Sequence, residues 1–559
     1  MPGKILDRLD EWKRRFGPPE NGTLERLLAA AEVRRFSDPR ELIRFHETLL
    51  FLRAYPRTPE VARLADAILL RYRERVLAAD GGEAAFEEPE ISGIAGTSLS
   101  AVFSYEVARQ LARRYPRNLE IAWDRYDGVD RLGPAVARLS PLAAEEWPVE
   151  AHVPFRQWIA AARPRGVGDL DWLLERLESL PLAARERAAI YEALDIPLTW
   201  KMEGTRASRS LLRLPARKLY CHREPLLRRA DVSLMRELEG PPLAVKRLPR
   251  AQARRIVDLI LDTSAARYRE LHGFSHPDEN RVFQVSPGRG VDIFFFGVPP
   301  EWRLPLRAYH AGMFFKNGVP AGYVELLSFF ERAEVGFNLY YTFREGESAW
   351  LYAQLLRLFR QTLGVNVFSV DPYQIGLENP EAVDSGAFWF YRKLGFVVVD
   401  PDIAKLVERE ESRMQRNPGY RSSRRTVEKL AAGHILFQGP AAEPGAWNRF
   451  RIHNVGLAVQ LAMAQGFGGN PEKFRHAAGA RVSRELGIEA SSDLALALNL
   501  IPDLERWTGD EKRAAAGILQ AKAGANEARY LRLMQRHRRM RAAMLELGTV
   551  GGKIRPEGL

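Results

Sequence analysis

Between Glu334 and Phe343 apolar and polar side chains alternate. Val335, Phe337, Leu339, Tyr341 and Phe343 fall on one face of an extended strand, and Glu334, Asn338, Tyr340 and Thr342 on the other. Such a strand can bury one face in a core and line a cleft with the other. It runs into Phe343-Arg344-Glu345-Gly346-Glu347-Ser348-Ala349, a glycine turn that opens a helix. The first N–H groups of a helix have no partner within it, and with the helix dipole they attract an anion that glycine lets approach closely. Glu345 and Glu347 oppose an anion there unless their side chains turn outward. His222 and His310 have no partner at metal-ligand spacing, and there is no H-E-x-x-H or paired Cys/His cluster, so no metal is expected. The adjacent Cys221 and His222 do not make a nucleophile–base pair.

The elements that must position these groups begin near Pro241. Leu243 to Leu248 reads as a short strand, and Pro249 opens a helix from Arg250 to Leu271 that closes at Gly273. Arg281 to Val285 and Val291 to Phe296 are extended. Ala308 to Lys316 and Pro320 to Phe330 flank Asn317-Gly318, the dipeptide a tight type I′ hairpin turn prefers because both central residues need positive φ. The strand Glu334 to Phe343 leads to a helix from Ser348 to Leu363 ending at Gly364. A buried strand follows from Val365 to Val370, then a helix from Gly386 to Leu394 and a last strand from Phe396 to Val399. Glu325 lies on the strand before Glu334.

The flanks read differently. Residues 1–240 are mainly helical, with Ser37-Asp38-Pro39 and Thr58-Pro59 as helix starts and room for a small sheet. Gly81 to Glu90 marks an acidic loop, and Gly93 to Ser98 reads as the cap of a helix through Arg114, followed by an extended Leu119 to Trp123. Residues 406–559 are again helical, over Ala446 to Gln465, Pro471 to Leu486, Gly509 to Ala523 and Asn526 to Leu547, after a basic linker from Arg413 to Arg425. Leu436-Phe437-Gln438-Gly439-Pro440 resembles the core of a picornaviral 3C-type protease site and carries no functional weight here.

At 559 residues the chain exceeds one core, and its 46% hydrophobic and 28% charged residues are those of a globular protein. No apolar run reaches the ~18 residues a membrane span requires, and Met1 to Gly17 lacks the apolar segment of a secretory signal. The single cysteine excludes an intrachain disulfide framework, and these features together predict a cytoplasmic protein. The net charge of +12 is thin over this length, and basic and acidic residues are interleaved. The densest basic stretches, Arg413 to Arg425 and Arg529 to Arg541, read as solvated linker and helix face, so a nucleic-acid partner is not expected.

The strand, glycine turn and helix around Gly346 resemble the pyrophosphate-binding segment of the GCN5-related N-acetyltransferase (GNAT) superfamily. Asp384-Ser385-Gly386-Ala387-Phe388-Trp389-Phe390-Tyr391-Arg392-Lys393-Leu394-Gly395-Phe396 resembles that superfamily's late helix, N-x-x-A-x-x-[FL]-Y-x-x-x-G-F, with only the initial Asn replaced. The loop departs further from the pattern [QR]-x-x-G-x-[GA], with Phe343 and Ser348 at its ends and Arg344 one position late. Lys246-Arg247-Leu248-Pro249-Arg250-Ala251-Gln252-Ala253 looks like the first strand and helix, and the order of elements agrees from Pro241 to Asp402. The resemblance implies an α+β fold: a mixed, mostly antiparallel central sheet over 241–405 with helices on both faces, between helical flanks. It implies an acyltransferase that takes acetyl-CoA or another acyl-CoA and passes the acyl group to an amine acceptor. Backbone N–H groups from Gly346 through Ser348 to Ala349, with Arg344, would hold the pyrophosphate. A main-chain group between Leu339 and Tyr341 would polarise the acyl carbonyl. Tyr391 would protonate the departing thiolate, and Glu334, with Glu325 in reserve, would take the proton of the amine. The alternative is a GNAT-like domain without catalysis, serving as a binding or scaffold module whose helical flanks meet a protein partner.

Overall fold

The computed structural model describes residues 2–16, 22–80, 86, 92–203, 205–215 and 218–550. Apart from Phe86, the acidic loop expected at Gly81 to Glu90 lies outside these residues. The fold is mixed α+β. Among the described residues twelve strands form two sheets: β1 (Ser98–Val102), β2 (Leu119–Ile121) and β3 (Pro197–Lys201) make a small one, in the order β1-β3-β2. The large one contains β4 (Val245–Arg247), β5 (Phe283–Gly288), β6 (Val291–Gly297), β7 (Ala308–Lys316), β8 (Val319–Phe329), β9 (Arg332–Leu339), β10 (Val367–Val370), β11 (Val397–Val398) and β12 (Ile435–Gln438). Its order is β11-β12-β10-β9-β8-β7-β6-β5-β4, and every pairing is antiparallel except β9 with β10.

The hairpin at Asn317-Gly318 forms with φ of 47° and 79°, the left-handed pair that a type I′ turn needs. The parallel pairing of β9 and β10 requires a crossover, supplied by the helix Ser348–Leu363, whose end falls on Gly364 at φ 75°. This helix covers the face of β9 that carries Phe337, whose ring centroid lies 5.0 Å from that of Tyr352. The opposite face meets the helix His272–Ser275: Phe274 stands 6.1 Å from Tyr323, and the Gly273 N–H donates to the Tyr309 hydroxyl at 3.0 Å. Helices therefore lie on both faces of the central sheet.

Several elements differ from the sequence expectation. Beyond Leu339 the alternation of β9 stops, because Tyr341–Phe343 is a 3-10 turn. The helix expected to reach Leu271 ends at Ala265, where the Ser264 carbonyl accepts from the N–H groups of both Arg267 and Arg269 and curls the chain inward. Gly93 to Ser98 does not cap a helix but leads into β1. Gly93 and Gly96 sit at φ 77° and 91°, and a Cβ on Gly93 would strike the Ala266 carbonyl while one on Gly96 would crowd Arg73. The central sheet also runs past the boundary expected at 405. The helices Pro401–Arg416 and Arg424–Ala431 are an excursion, after which β12 returns between β10 and β11 and takes Leu436-Phe437-Gln438 into the sheet. The last expected helix is two, Glu527–Arg536 and Arg538–Val550, broken at His537.

One apolar core joins the N-terminal helices, the central sheet and the C-terminal helices, while residues around the small sheet form a second. Arg539 and Arg541 of the basic C-terminal stretch pair within the molecule, Arg541 with Glu443 at 3.0 Å and Arg539 with Glu511 at 3.3 Å. No helix among the described residues is long and apolar enough to cross a membrane.

The N-terminal helices are fastened to the sheet through charge as well as apolar contact. Glu347 is 2% exposed, and its carboxylate takes the Nε of Arg289 at 2.9 Å, the Nζ of Lys316 at 3.3 Å and the N–H of Leu227 at 3.2 Å. Lys316 in turn lies 4.6 Å above the ring of Tyr55, from the end of the helix Pro39–Ala54. Burial alone would raise the Glu347 carboxyl, but Arg289 and Lys316 hold it below its usual range. Removing one member of a buried ion pair costs roughly 3–5 kcal/mol, because its partner is left uncompensated. Glu347→Gln should therefore lower stability by about 3 kcal/mol in urea unfolding, with part recovered when Lys316→Met is added. A loss below about 1 kcal/mol would mean that apolar contacts alone hold this junction.

Candidate active site: a cleft between parting strands

β9 and β10 are paired only at Arg332 with Val367, Ala333 with Phe368 and Glu334 with Ser369. Beyond them the chain leaves the sheet at Asp371-Pro372. The Asp371 side chain accepts from the Tyr373 N–H at 2.9 Å, capping the helix Pro372–Ile375, and Pro372 has no N–H to offer a ladder. β9 continues to Leu339 paired with β8 alone, and the gap left by β10 is a cavity of about 320 Å³.

Main-chain groups of β9 point into this gap. The Tyr340 N–H donates to the Ala321 carbonyl on the β8 side at 3.0 Å, so strand alternation turns the N–H groups of Phe337 and Leu339 the other way. That of Phe337 reaches the Gln374 side-chain carbonyl at 3.3 Å. Leu339 itself lines the cavity, with Tyr391, Glu325, Arg344 and Ser348.

Tyr391 stands on the helix Ala387–Lys393, preceded by Gly386 at φ 71°. Its ring packs against those of Tyr352 at 5.5 Å and Phe396 at 5.4 Å, and it is 3% exposed. Burial raises its phenol well above the ordinary value, so it stays protonated and able to donate. The two carboxylates share the face of the sheet opposite Tyr352 but differ in setting. Glu334 does not line the cavity; Arg307 Nη1 lies 3.7 Å from it. Glu325 does line it and accepts from the Tyr309 hydroxyl. Burial raises both carboxyls above the usual range.

The loop from Phe343 to Ala349 differs most from its expected role. The Gly346 N–H is taken by the Phe343 carbonyl at 2.9 Å, and the Glu347 N–H meets the Tyr55 hydroxyl. A Cβ at Gly346 would collide with Tyr55, so glycine is needed there for the N-terminal helices rather than for a ligand. Ala349 is buried in the core, and Tyr341 has left the strand for the 3-10 turn. Glu345 faces out to Arg14 at 2.7 Å, while Glu347 faces in to Arg289 and Lys316. Ser348, in the first turn of its helix, is the part of the loop that reaches the cavity beside Arg344.

Sequence reasoning missed Gln374, Glu381 and Arg269. Glu381 accepts from Arg344 and, at 3.3 Å, from Arg269, closing one end of the cavity. Pro380, the residue before Glu381, at the first position of its helix was the available signal for that element. Among the described residues no cluster of His, Cys, Asp and Glu could hold a metal ion. Cys221 is partly exposed, with its thiol raised by burial, and His222 is buried beside Tyr55 and Tyr220. Comparison of the chain with family models, curated proteins and solved structures found no match.

The raised Glu325 carboxyl has a consequence for stability. A folded value above the unfolded one means that the folded state holds the proton more tightly, so its contribution is present below the unfolded value and lost as pH rises through the folded one. Glu325→Gln removes that loss. In urea unfolding the variant should match or exceed the wild type near about pH 8, with the difference closing toward about pH 4. A variant less stable at the higher pH would show that the carboxylate is welcome in its site.

Proposed function

We propose that the cleft beside β9 is the site of an acyltransferase that moves an acyl group from an acyl-CoA, acetyl-CoA or a longer one, to an amine. The observation that carries this reading is the Leu339 N–H, turned into the gap left by β10, in a cavity shared with Tyr391 and Glu325. The crossed order of the last strands, the parallel β9–β10 pair and the aromatic helix around Tyr391 support the likeness to the GNAT superfamily. A volume of about 320 Å³ is at the low end for a small-molecule site.

The cosubstrate supplies a thioester carbonyl. Leu339 N–H donates to its oxygen as negative charge grows there, a main-chain dipole already fixed by the strand. Glu325 accepts the proton that the amine releases as nitrogen bonds to the acyl carbon; it lines the cavity, whereas Glu334 is engaged with Arg307. Tyr391 gives its proton to the thiolate as the carbon–sulfur bond breaks, and burial keeps that proton in place beforehand. Arg344 and the first turn at Ser348 offer positive charge to phosphate, while the Gly346 and Glu347 N–H groups are engaged elsewhere.

One observation favours a non-catalytic binding module. Gln374 satisfies the Phe337 N–H, and Glu381 bridges Arg269 and Arg344, so the cleft is partly filled by its own side chains. Acyl-CoA titration separates the two readings. At 100 times its Kd, acetyl-CoA or a longer acyl-CoA should stabilise the protein by roughly 2.7 kcal/mol. Tyr391→Phe should then lower kcat by about 100-fold with little change in affinity. No thermal shift with any acyl-CoA or with free CoA would rule out the enzyme; binding without turnover in the wild type would favour the module.

A further inference from the structure

Beside the cleft lies a buried cation that no carboxylate among the described residues pairs directly. The curl after Ala265 carries Arg267 inward until it is 6% exposed, with its guanidinium 3.8 Å over the ring of Tyr340. Its Nε is buried without a hydrogen-bond partner among the described residues, and no carboxylate there pairs with it. The charge of Glu47 reaches Arg267 through space, but its carboxylate is bonded to Arg209 at 2.8 Å and accepts from Thr342 as well. Burial, together with the Arg209 charge, lowers Arg267 to about 10, so it still carries its proton at neutral pH. A buried guanidinium without a directly paired counter-charge is an unfavourable arrangement, and such arrangements gather where a ligand completes them.

Arg267 does not face closed core. With Arg269, Arg344, Leu339 and Tyr340 it lines an annex of about 20 Å³ at the end of the cleft, where Glu381 is the one carboxylate. Glu381 shows that an oxyanion fits between Arg269 and Arg344, and it leaves Arg267 unserved. Arg267 and Arg269 stand just before the helix His272–Ser275, which meets the Glu325 face of the sheet, the side on which an amine must approach its base. The helix opening at Ser348 lies on the opposite face, with Phe337 and Tyr352.

We propose that Arg267, with Arg269, is an anion subsite that reads a carboxylate or phosphate on the acceptor, so that the substrate is a small amine bearing a negative group. The identity of the acceptor rests on the acyl-transfer reading; the anion subsite rests on Arg267 itself. Leu339 and Tyr340 both line the annex, so the anion lies within about two residues of the Leu339 N–H, roughly 7 Å along the strand, and amine and anion belong to one compact molecule.

The full chain is assayed with acetyl-CoA and paired acceptors that differ only in the anion: amino acids against their carboxamides, and phosphoethanolamine against ethanolamine. The wild type should prefer the anionic member of a pair by at least about 10-fold in kcat/KM, chiefly through KM. In Arg267→Gln that preference should collapse to within about threefold, with acetyl-CoA affinity within about twofold of wild type. Arg267→Met keeps the apolar stem over Tyr340 and should behave alike, which separates loss of the anion contact from misfolding. An unchanged preference, or an equal loss of acetyl-CoA affinity, overturns the proposal. A thermal shift with inorganic phosphate, matched in ionic strength with chloride, is the independent readout. A shift that Arg267→Gln abolishes upholds the subsite even if acetyl-CoA fails to bind, in which case the transfer reading falls alone. A shift that persists in the variant, or none in the wild type, overturns the subsite.

Discussion

β9 and β10 run side by side for three residue pairs and then separate, and every group in the cleft owes its exposure to that parting. A strand buried in a sheet spends its N–H groups on both neighbours; one that loses a neighbour keeps a row of polar main-chain groups that must find other partners. The parting is built into Asp371-Pro372. Asp371 caps a helix and Pro372 cannot donate, so the backbone turns away where a longer strand would have closed the gap. The crossover helix sets the two strands parallel on one face, the aromatic helix with Tyr391 fills the far side of the gap, and the loop after Ala265 closes its end.

Charge is arranged around this cleft with the same economy. Two buried carboxylates, Glu47 and Glu347, lock the N-terminal helices and the segment near Arg209 to the central domain. Because Glu347 turns inward and Glu345 turns out to Arg14, neither acid crowds the opening of the helix at Ser348. The cleft is thus left with a surplus of guanidinium groups at one end and, on one wall, the Glu325 carboxyl that burial raises above its usual range.

Much of the local structure was legible in the sequence. Asn317-Gly318, the helix from Ser348 to Gly364, and the alternation of β9 follow from rules that act over a few residues. What was hidden depends on distant contacts. The helix after Pro249 stops at Ala265 although its pattern continues, because residues near Ala266 enter the second core. β12 could not be placed, since it returns to the sheet after two helices and only its register against β10 and β11 identifies it. Gly346 read as a ligand-facing glycine, and Tyr55, nearly three hundred residues earlier, is what requires it. Glu325 and Glu334 look alike in sequence; only the neighbours Tyr309 and Arg307 separate them.

The central claim is that the main chain from Phe337 to Leu339 and the helix start at Ser348 form one ligand site. Backbone hydrogen exchange with and without acetyl-CoA reads those amides directly. Slowed exchange confined to peptides spanning Gly336 to Ala349 and the helix around Tyr391, with the C-terminal helices unchanged, is the predicted result. Unaltered exchange across Gly336 to Ala349 at saturating acetyl-CoA, or protection appearing only elsewhere, would contradict it.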